Sequence, residues 1–428
     1  MAARAISHQK RRINGGLSLW RRRRDPLSWG DAVGLLSVGS MDWSGNSRTL
    51  CYNPNSMRFA RGRVAKNGLK LAALACGLGL LAFPQKKKDE TQMLQLPRDL
   101  PTAVEGDPRK FTFHVTPLSA NGLLTKQVRD ALSALMRQAK GSSILKIRAF
   151  VAGSGDARRV RDLVSEVFTE RKQALPVLSL VQTGGLPLEG AQVVLEGTAE
   201  GRKEMSRYGL ALISAQSAWS ENPLDPVGPL AVKSLGALRE AVKAAGSEPA
   251  DVARVTCFFS SLDGLDATRK LVGVEFPGAV ADFVQTERAP PRALAACEAV
   301  ARLRREVGAP LAVLNPEGLP REAGQSQVAL VGASKVVLTG SQVSFGFAEK
   351  DARLAFERLE KSLEQAGAST RGVAFADCYA LSSGIAEQVR KVRGEFFDAS
   401  RPPAGSLEPV EGLPSMDAGF AVDVVAVK

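Results

Sequence analysis

The stretch Glu349–Val389, EKDARLAFERLEKSLEQAGASTRGVAFADCYALSSGIAEQV, decides the fold. Over Glu349–Gly367 the apolar residues Ala352, Ala355, Phe356, Leu359, Leu363 and Ala366 recur at the i, i+3, i+4, i+7 spacing of a helix with one buried face. Gly367 ends that helix. Gly372–Ser382 is a short β-rich run, and Ile385–Phe397 returns to helical spacing with Ile385, Val389, Val392 and Phe396 on one side. Helix, strand and helix form an α/β unit, which needs a sheet to cover.

The same order occurs twice earlier in the chain. Phe111–Thr116 alternates like a strand, Leu123–Ala139 is helical and stops at Gly141, and Ile144–Val151 is a strand. Ala157–Phe168 is a second helix, with Pro176–Gln182 and Ala191–Ala199 as closing strands. In the next copy Tyr208–Ser214 opens, Val232–Ala245 is helical to Gly246, Val252–Ser261 is a strand and Leu265–Val274 a helix. Ala293–Leu303 with Pro310–Leu314 closes that sheet, and Lys335–Gly340 and Gly419–Val427 open and close the third copy. Between copies two and three, Gly246 and Gly367, Cys257 and Cys378, and Ser261 and Ser382 are each 121 positions apart. Repeats of this length are too long for a solenoid and suit small domains, here 110–201, 203–317 and 325–428.

A chain of 428 residues with 44% apolar content can bury more than one core. Its formal charge of +13 invites a nucleic-acid reading until it is located. Residues 1–88 hold 17 Lys and Arg against 3 Asp and Glu, while 89–428 hold 40 against 41. The basicity therefore lies in the leader. A near-neutral body with 6% aromatic residues does not suit a surface that tracks phosphates, so nucleic acid is not an expected partner.

Residues 1–56 read as a disordered leader or an over-extended start, with internal methionines at Met41 and Met57. Residues 57–84 have the pattern of a signal peptide: basic Arg58, Arg61, Arg63, Lys66 and Lys70, then apolar Leu71–Phe83. That run is short for a permanent span, and it continues past Cys76, where a lipidated cysteine would end it. The expectation is export, periplasmic or secreted. The alternatives are an uncleaved N-terminal anchor, with no other membrane partner, and a cytoplasmic protein. Residues 85–109, rich in Pro, Asp and Glu, read as a linker.

No P-loop or Rossmann glycine pattern follows a predicted strand, so no cofactor is expected. A metal is not expected either, because the body carries one histidine, His114, and no Cys/His cluster at ligand spacing. Cys257 and Cys378 sit at equivalent points of apolar strands and read as buried free thiols, leaving Cys297 unpaired.

A hairpin ending in a Ser/Gly-to-Gln turn (Ser214–Gln216, Gly340–Gln342) precedes a helix ending in Ala-Gly (Ala245–Gly246, Ala366–Gly367). A Val-rich strand, a second helix, a Pro-x-Arg strand (Pro290–Arg292) and closing strands (Gly190–Glu196, Asp417–Asp423) follow. This order resembles the YjgF/RidA family of reactive intermediate deaminases, formerly endoribonuclease L-PSP, over 110–428. The resemblance implies an α+β fold: three tandem RidA-like (chorismate mutase-like) domains forming an intramolecular pseudo-trimer with a central β-barrel and outer helices, monomeric as a chain.

The resemblance also implies chemistry at an inter-domain cleft, the hydrolytic deamination of small enamine or imine acids without a cofactor. Arg292 would grip the substrate carboxylate, for which a planar guanidinium fork is suited. Glu196 and Asp423, the closing-strand acids, would position water, and Gln216 and Gln342 would line pockets. The expected partner is a small carboxylate-bearing molecule. Only the second copy keeps the arginine, since Leu178 and Gly405 match it in the first and third copies, and Leu314 stands for the acid in the second. The residues therefore leave an alternative, a catalytically degenerate small-molecule binding or scaffold protein. In that case Arg292 makes a surface or interdomain ion pair, Glu196 and Asp423 are solvated strand ends, and the glutamines bond backbone.

Overall fold

In the computed structural model, which describes residues 98–153 and 156–428, three successive segments each lay two helices on one face of a mixed sheet. The leader at 1–56, the signal or anchor at 57–84 and the first part of the linker lie outside the described residues. A short strand β1 (Ala103–Gly106) precedes the first segment, which runs β2 (Phe111–Val115), α1 (Leu124–Gln138), β3 (Ser143–Ala152), α2 (Ala157–Glu170), β4 (Val177–Thr183) and β5 (Val193–Glu200). The second runs β6 (Leu210–Ser220), α3 (Val227–Ala244), β7 (Val252–Phe259), α4 (Leu265–Glu275), β8 (Val280–Gln285) and β9 (Ala293–Arg302), followed by β10 (Leu311–Leu314) and β11 (Val328–Val331). The third runs β12 (Val336–Thr339), β13 (Gln342–Val343), α5 (Glu349–Gln365), β14 (Val373–Ala380), α6 (Ser383–Phe396), β15 (Ala404–Pro409) and β16 (Phe420–Val427).

One strand order is used three times: β2-β5-β3-β4, β6-β9-β7-β8 and β12-β16-β14-β15. In each sheet the last two strands are parallel, and parallel neighbours need a crossover, which the second helix supplies. Gly141, Gly246 and Gly367 follow the first helix of each segment with φ of 81°, 75° and 75°, the left-handed conformation that closes a helix at least cost to glycine. Cys257 and Cys378 hold the same register in their sheets, opposite Phe283 and Leu407 on the parallel neighbour. The three segments are structural equivalents.

The central strands are buried on both faces, and because successive side chains point to opposite faces, alternate residues enter different cores. Ile147, Ala149 and Val151 of β3 face α1 and α2 in one core, and the other two segments build matching cores under their own helices. The opposite faces pack on each other. Phe150, Phe258 and Tyr379, one from each sheet, share a cluster, and Phe111, Leu212, Leu338 and Phe375 share another. Strand β4 touches β12, β8 touches β2 and β15 touches β6, so the far edge of each sheet meets the first strand of another.

Several expectations are corrected here. No closed barrel forms among the described residues: there are three separate sheets, and the backbone of the first meets the others at the isolated bridges Gln182↔Gly412 and Gly185↔Gln285 and where the Ser341 N–H donates to the Leu178 carbonyl at 3.1 Å. At the β15/β6 junction the Gly405 N–H donates to Ser214 Oγ at 2.8 Å, a side chain standing where a ladder carbonyl would be. Ser214–Gln216 is not a hairpin turn. It is an irregularity inside β6, where the pairing with β9 skips between Ile213 and Gln216 and then continues to Ser220. Part of the supposed linker is strand β1, which pairs with β12 and extends the third sheet. Strand β11, although within 325–428, belongs to the second sheet through β6, and Pro310–Leu314 lies at that sheet's outer edge while β9 closes it.

The cysteine reading is also corrected. Cys257 and Cys297 form a disulfide, because β7 and β9 set them directly opposite each other with Cα atoms 4.1 Å apart. Cys378 faces Val422 instead and stays a buried free thiol, which burial pushes up to about 12.

Candidate functional site

Each sheet carries polar residues at its middle, on the face turned away from its helices. In the first sheet Arg148 pairs across to Glu196, in the second Thr256 to Glu298, and in the third Asp377 to Asp423. Two residues along the same face lie Lys146, Arg254 and Phe375 on one side, and Phe150, Phe258 and Tyr379 on the other. The interior shared by the sheets is thus a charged band, with Lys146 and Arg254 at one border, set between the apolar cluster of Phe111, Leu212, Leu338 and Phe375 and that of Phe150, Phe258 and Tyr379.

Arg148 is the hub of that band. Its Nε donates to Glu196 at 2.8 Å, one Nη to Glu298 and Thr256 at 2.7 and 2.9 Å, and the other to Asp377 at 3.1 Å and the Tyr379 hydroxyl at 3.4 Å. One guanidinium therefore holds a carboxylate from every sheet. Thr256 Oγ1 in turn donates to Glu196 at 2.7 Å, and the rings of Phe150 and Phe258 lie 5.3 and 5.8 Å from the guanidinium carbon. Burial alone would push Glu196 up, but Arg148 and Arg254 hold it below the usual carboxylate range, and Asp377 is held down in the same way against its burial. Glu298 has less help: burial pushes it up to about 7. On β8, Asp282 is driven well above the carboxylate range by burial and by the neighbouring Glu196. A second buried pair joins two sheets, Lys146 with Asp423, and burial still raises Asp423 despite the lysine.

Beside this band lies a cavity of about 50 Å³. Lys146, Arg148, Arg254, Glu196 and Asp377 line its polar side, and Phe111, Leu210, Leu212, Val300 and Leu338 are among its apolar walls. Arg254 differs from Arg148. Its approaches to Glu196 and Glu298 are 3.6 and 3.5 Å, and its Nε has no hydrogen-bond partner among the described residues. No group of three or more His, Cys, Asp or Glu among the described residues is placed to hold a metal ion.

The residues named from sequence scatter. Glu196 and Asp423 are fully buried at mid-strand, not solvated strand ends, and each is held in an ion pair. Arg292 is exposed ahead of β9, with its guanidinium 5.4 Å from the Trp219 ring centre. Gln216 is buried, its amide nitrogen donating to the Ser214 carbonyl, while Gln342 is partly exposed opposite Val422. These residues do not converge on one cleft.

Register explains the scatter. Leu178 and Gly405 sit on β4 and β15 opposite Ile147 and Ala376, and the residue at that position in the second sheet is Ala281, opposite Val255. Arg292 lies on no equivalent strand position. The acid matching Glu196 and Asp423 in the second sheet is likewise Glu298, not Leu314. Sequence reading missed β8, and with it Ala281, Asp282 and the hub residues Lys146, Arg148, Arg254 and Asp377. A signal was present: ILKIRAFV, VARVTCFF and VAFADCYA each carry polar or charged residues on one alternating face of an otherwise apolar strand.

No family model and no curated protein matches the chain. Solved structures similar to it are members of the YjgF/RidA group. A Rid-family protein of unknown function from Yersinia pestis is 19% identical, matching 28% of this chain and 100% of its own, with a TM-score of 0.27. A YjgF/YER057c/UK114 family member from Mycobacterium tuberculosis is 21% identical over 28% of this chain and 99% of its own, and a YjgF member from Neisseria meningitidis is 18% identical over 28% and 94%, each with a TM-score of 0.21. At these scores the likeness carries no weight of its own, and the description of the fold stands on the chain's three equivalent sheets.

Proposed function

We propose that the chain is an exported, RidA-like pseudo-trimer built from one polypeptide, which has given up imine deamination and serves as a small-molecule binding protein. One observation carries this reading: at the position where the resemblance calls for a carboxylate-gripping arginine, the three sheets hold Leu178, Ala281 and Gly405. Without that guanidinium these three positions offer no bidentate anchor for an imino acid. The closing-strand acids are unsuited to positioning water as well, since Glu196 and Asp423 are already engaged by Arg148 and Lys146. The Cys257–Cys297 disulfide supports export, because such bonds persist in oxidising compartments. A closed ring of edge contacts supports a monomer, for which light scattering should return the mass of one chain.

The test is ammonia release from small imino acids generated in place by an amino acid oxidase, with the full chain added. The expected result is the uncatalysed rate for wild type and for Arg292→Ala alike. Acceleration by wild type that disappears in Arg292→Ala overturns the reading and restores a deaminase.

A further inference from the structure

We propose that the cavity beside the charged band binds a small organic carboxylate, with Arg254 meeting its charge and Leu212, Val300 and Leu338 covering its apolar body. This rests on the reading of the chain as a binding protein, and it names the site and the ligand class.

The inference comes from the contrast between two arginines of different sheets, Arg148 on β3, which is buried, and Arg254 on β7, whose side chain is 13% exposed. A guanidinium has five N–H donors in a fixed fork. Arg148 engages three carboxylates and two hydroxyls, with four of the five contacts between 2.7 and 3.1 Å, and has no capacity left. Arg254 makes one hydrogen bond, to Glu298 at the 3.5 Å limit, lies 3.6 Å from Glu196, and leaves Nε without a partner among the described residues. A buried donor without a partner is unfavourable, more so when charged, so an acceptor brought to this side chain is favoured.

Charge selects among acceptors. Lys146, Arg148 and Arg254 all line the cavity, so a cationic ligand would meet three cations at its polar end. An anion would also face Glu196 and Asp377, but the lining sets three cations, Lys146, Arg148 and Arg254, against these two carboxylates. Shape then selects the body. The remaining wall is aliphatic and aromatic, with Phe111, Leu210, Leu212, Val300, Leu338 and Phe375, and hydration of a polar tail could not be replaced there. The cavity, about 50 Å³, is larger than the roughly 10–15 Å³ that a single water needs, and a branched four-carbon carboxylate is a small molecule with which to test it.

The experiment is calorimetric titration of the full chain with isobutyrate and with isobutyramide, its uncharged isostere. The expected result is one saturable site for isobutyrate and at least tenfold weaker binding of the amide. Arg254→Met should weaken isobutyrate at least tenfold. Because that variant leaves Glu196 and Glu298 less neutralised and could fail to fold, Val300→Phe supplies a second test, filling the cavity while keeping every ion pair, and it should abolish binding. Arg239→Ala, on the outer surface, should bind as wild type does. No saturable binding of isobutyrate by folded wild type, equal binding of the amide, or undiminished binding by Val300→Phe overturns the proposal. Imine turnover with intact isobutyrate binding would instead overturn the functional reading while leaving the site standing.

Discussion

On the inner face of the first sheet the Arg148 side chain is 2% exposed and grips Glu196, Glu298 and Asp377, one acid from each sheet; ahead of β9, Arg292 lies exposed over the Trp219 ring. The two side chains are chemically identical, and their surroundings make them opposites. At Arg292 water competes for every donor, so its contacts contribute little. At Arg148 water is excluded and the charges are strongly coupled, so removing any one member strands the others. The family motif drew attention to the exposed arginine. The physics places the weight on the buried one, which no motif marks.

The comparison can be broken first at Arg148. Arg148→Met leaves Glu196, Glu298 and Asp377 without their common cation, and breaking even one buried pair in this way costs about 3–5 kcal/mol. Urea denaturation should show a loss at least that large, or no cooperative transition at all. A transition at the wild-type midpoint would mean that the band is not holding the sheets together.

Next in size is the disulfide, which links positions 40 residues apart within the second sheet. Replacing both Cys257 and Cys297 with Ala should lower stability by about 2–4 kcal/mol, and a reductant should shift the denaturation midpoint of wild type but not of the double variant.

A smaller, pH-dependent effect sharpens the view of the β15/β6 junction. Burial, with repulsion from Glu298 and Glu322 only partly offset by Arg292, pushes Glu408 from its ordinary 4.5 up to about 8. Over that window the folded chain keeps a proton that the unfolded chain loses, so its contribution to stability falls as pH rises from about 4.5 to about 8 and is flat beyond. Glu408→Gln should therefore gain stability relative to wild type between pH 5 and pH 8, by about 1 kcal/mol or more at the upper end. A constant difference across that range would contradict the shift. The smallest effect belongs to Arg292→Ala, where loss of an exposed stack on Trp219 should change stability by less than about 1 kcal/mol in the same denaturation experiment.

The element order was legible because helical and strand periods are local properties. Glu349–Gly367 became α5 within two residues, and Gly246 and Gly367 each close a helix with a φ of 75°. What failed depended on pairing. The strand β8, VADFVQ, carries Asp282 among apolar residues and was passed over, so Pro290–Arg292 was set against β4 and β15 in its place. The same omission of pairing hid the cross-strand Cys257–Cys297 bond. The charged band was hidden for another reason. A lysine or arginine on the buried face of ILKIRAFV looks prohibitive until its partners are known, and Asp377, which meets Arg148, lies 229 residues away. Hence the resemblance points to Glu196 and Asp423 as water-positioning acids, whereas their actual surroundings are buried ion pairs with Arg148 and Lys146.

On the proposed reading the closing-strand acids hold the sheets together and do no chemistry. Glu196→Gln tests it most directly, with unfolding free energy and imine turnover measured on the same preparations. The account predicts a loss of about 3 kcal/mol or more, since Arg148 and Arg254 lose a buried counter-ion, and no turnover before or after the change. Wild-type stability in the variant, together with loss of a turnover that the wild type possesses, would contradict it.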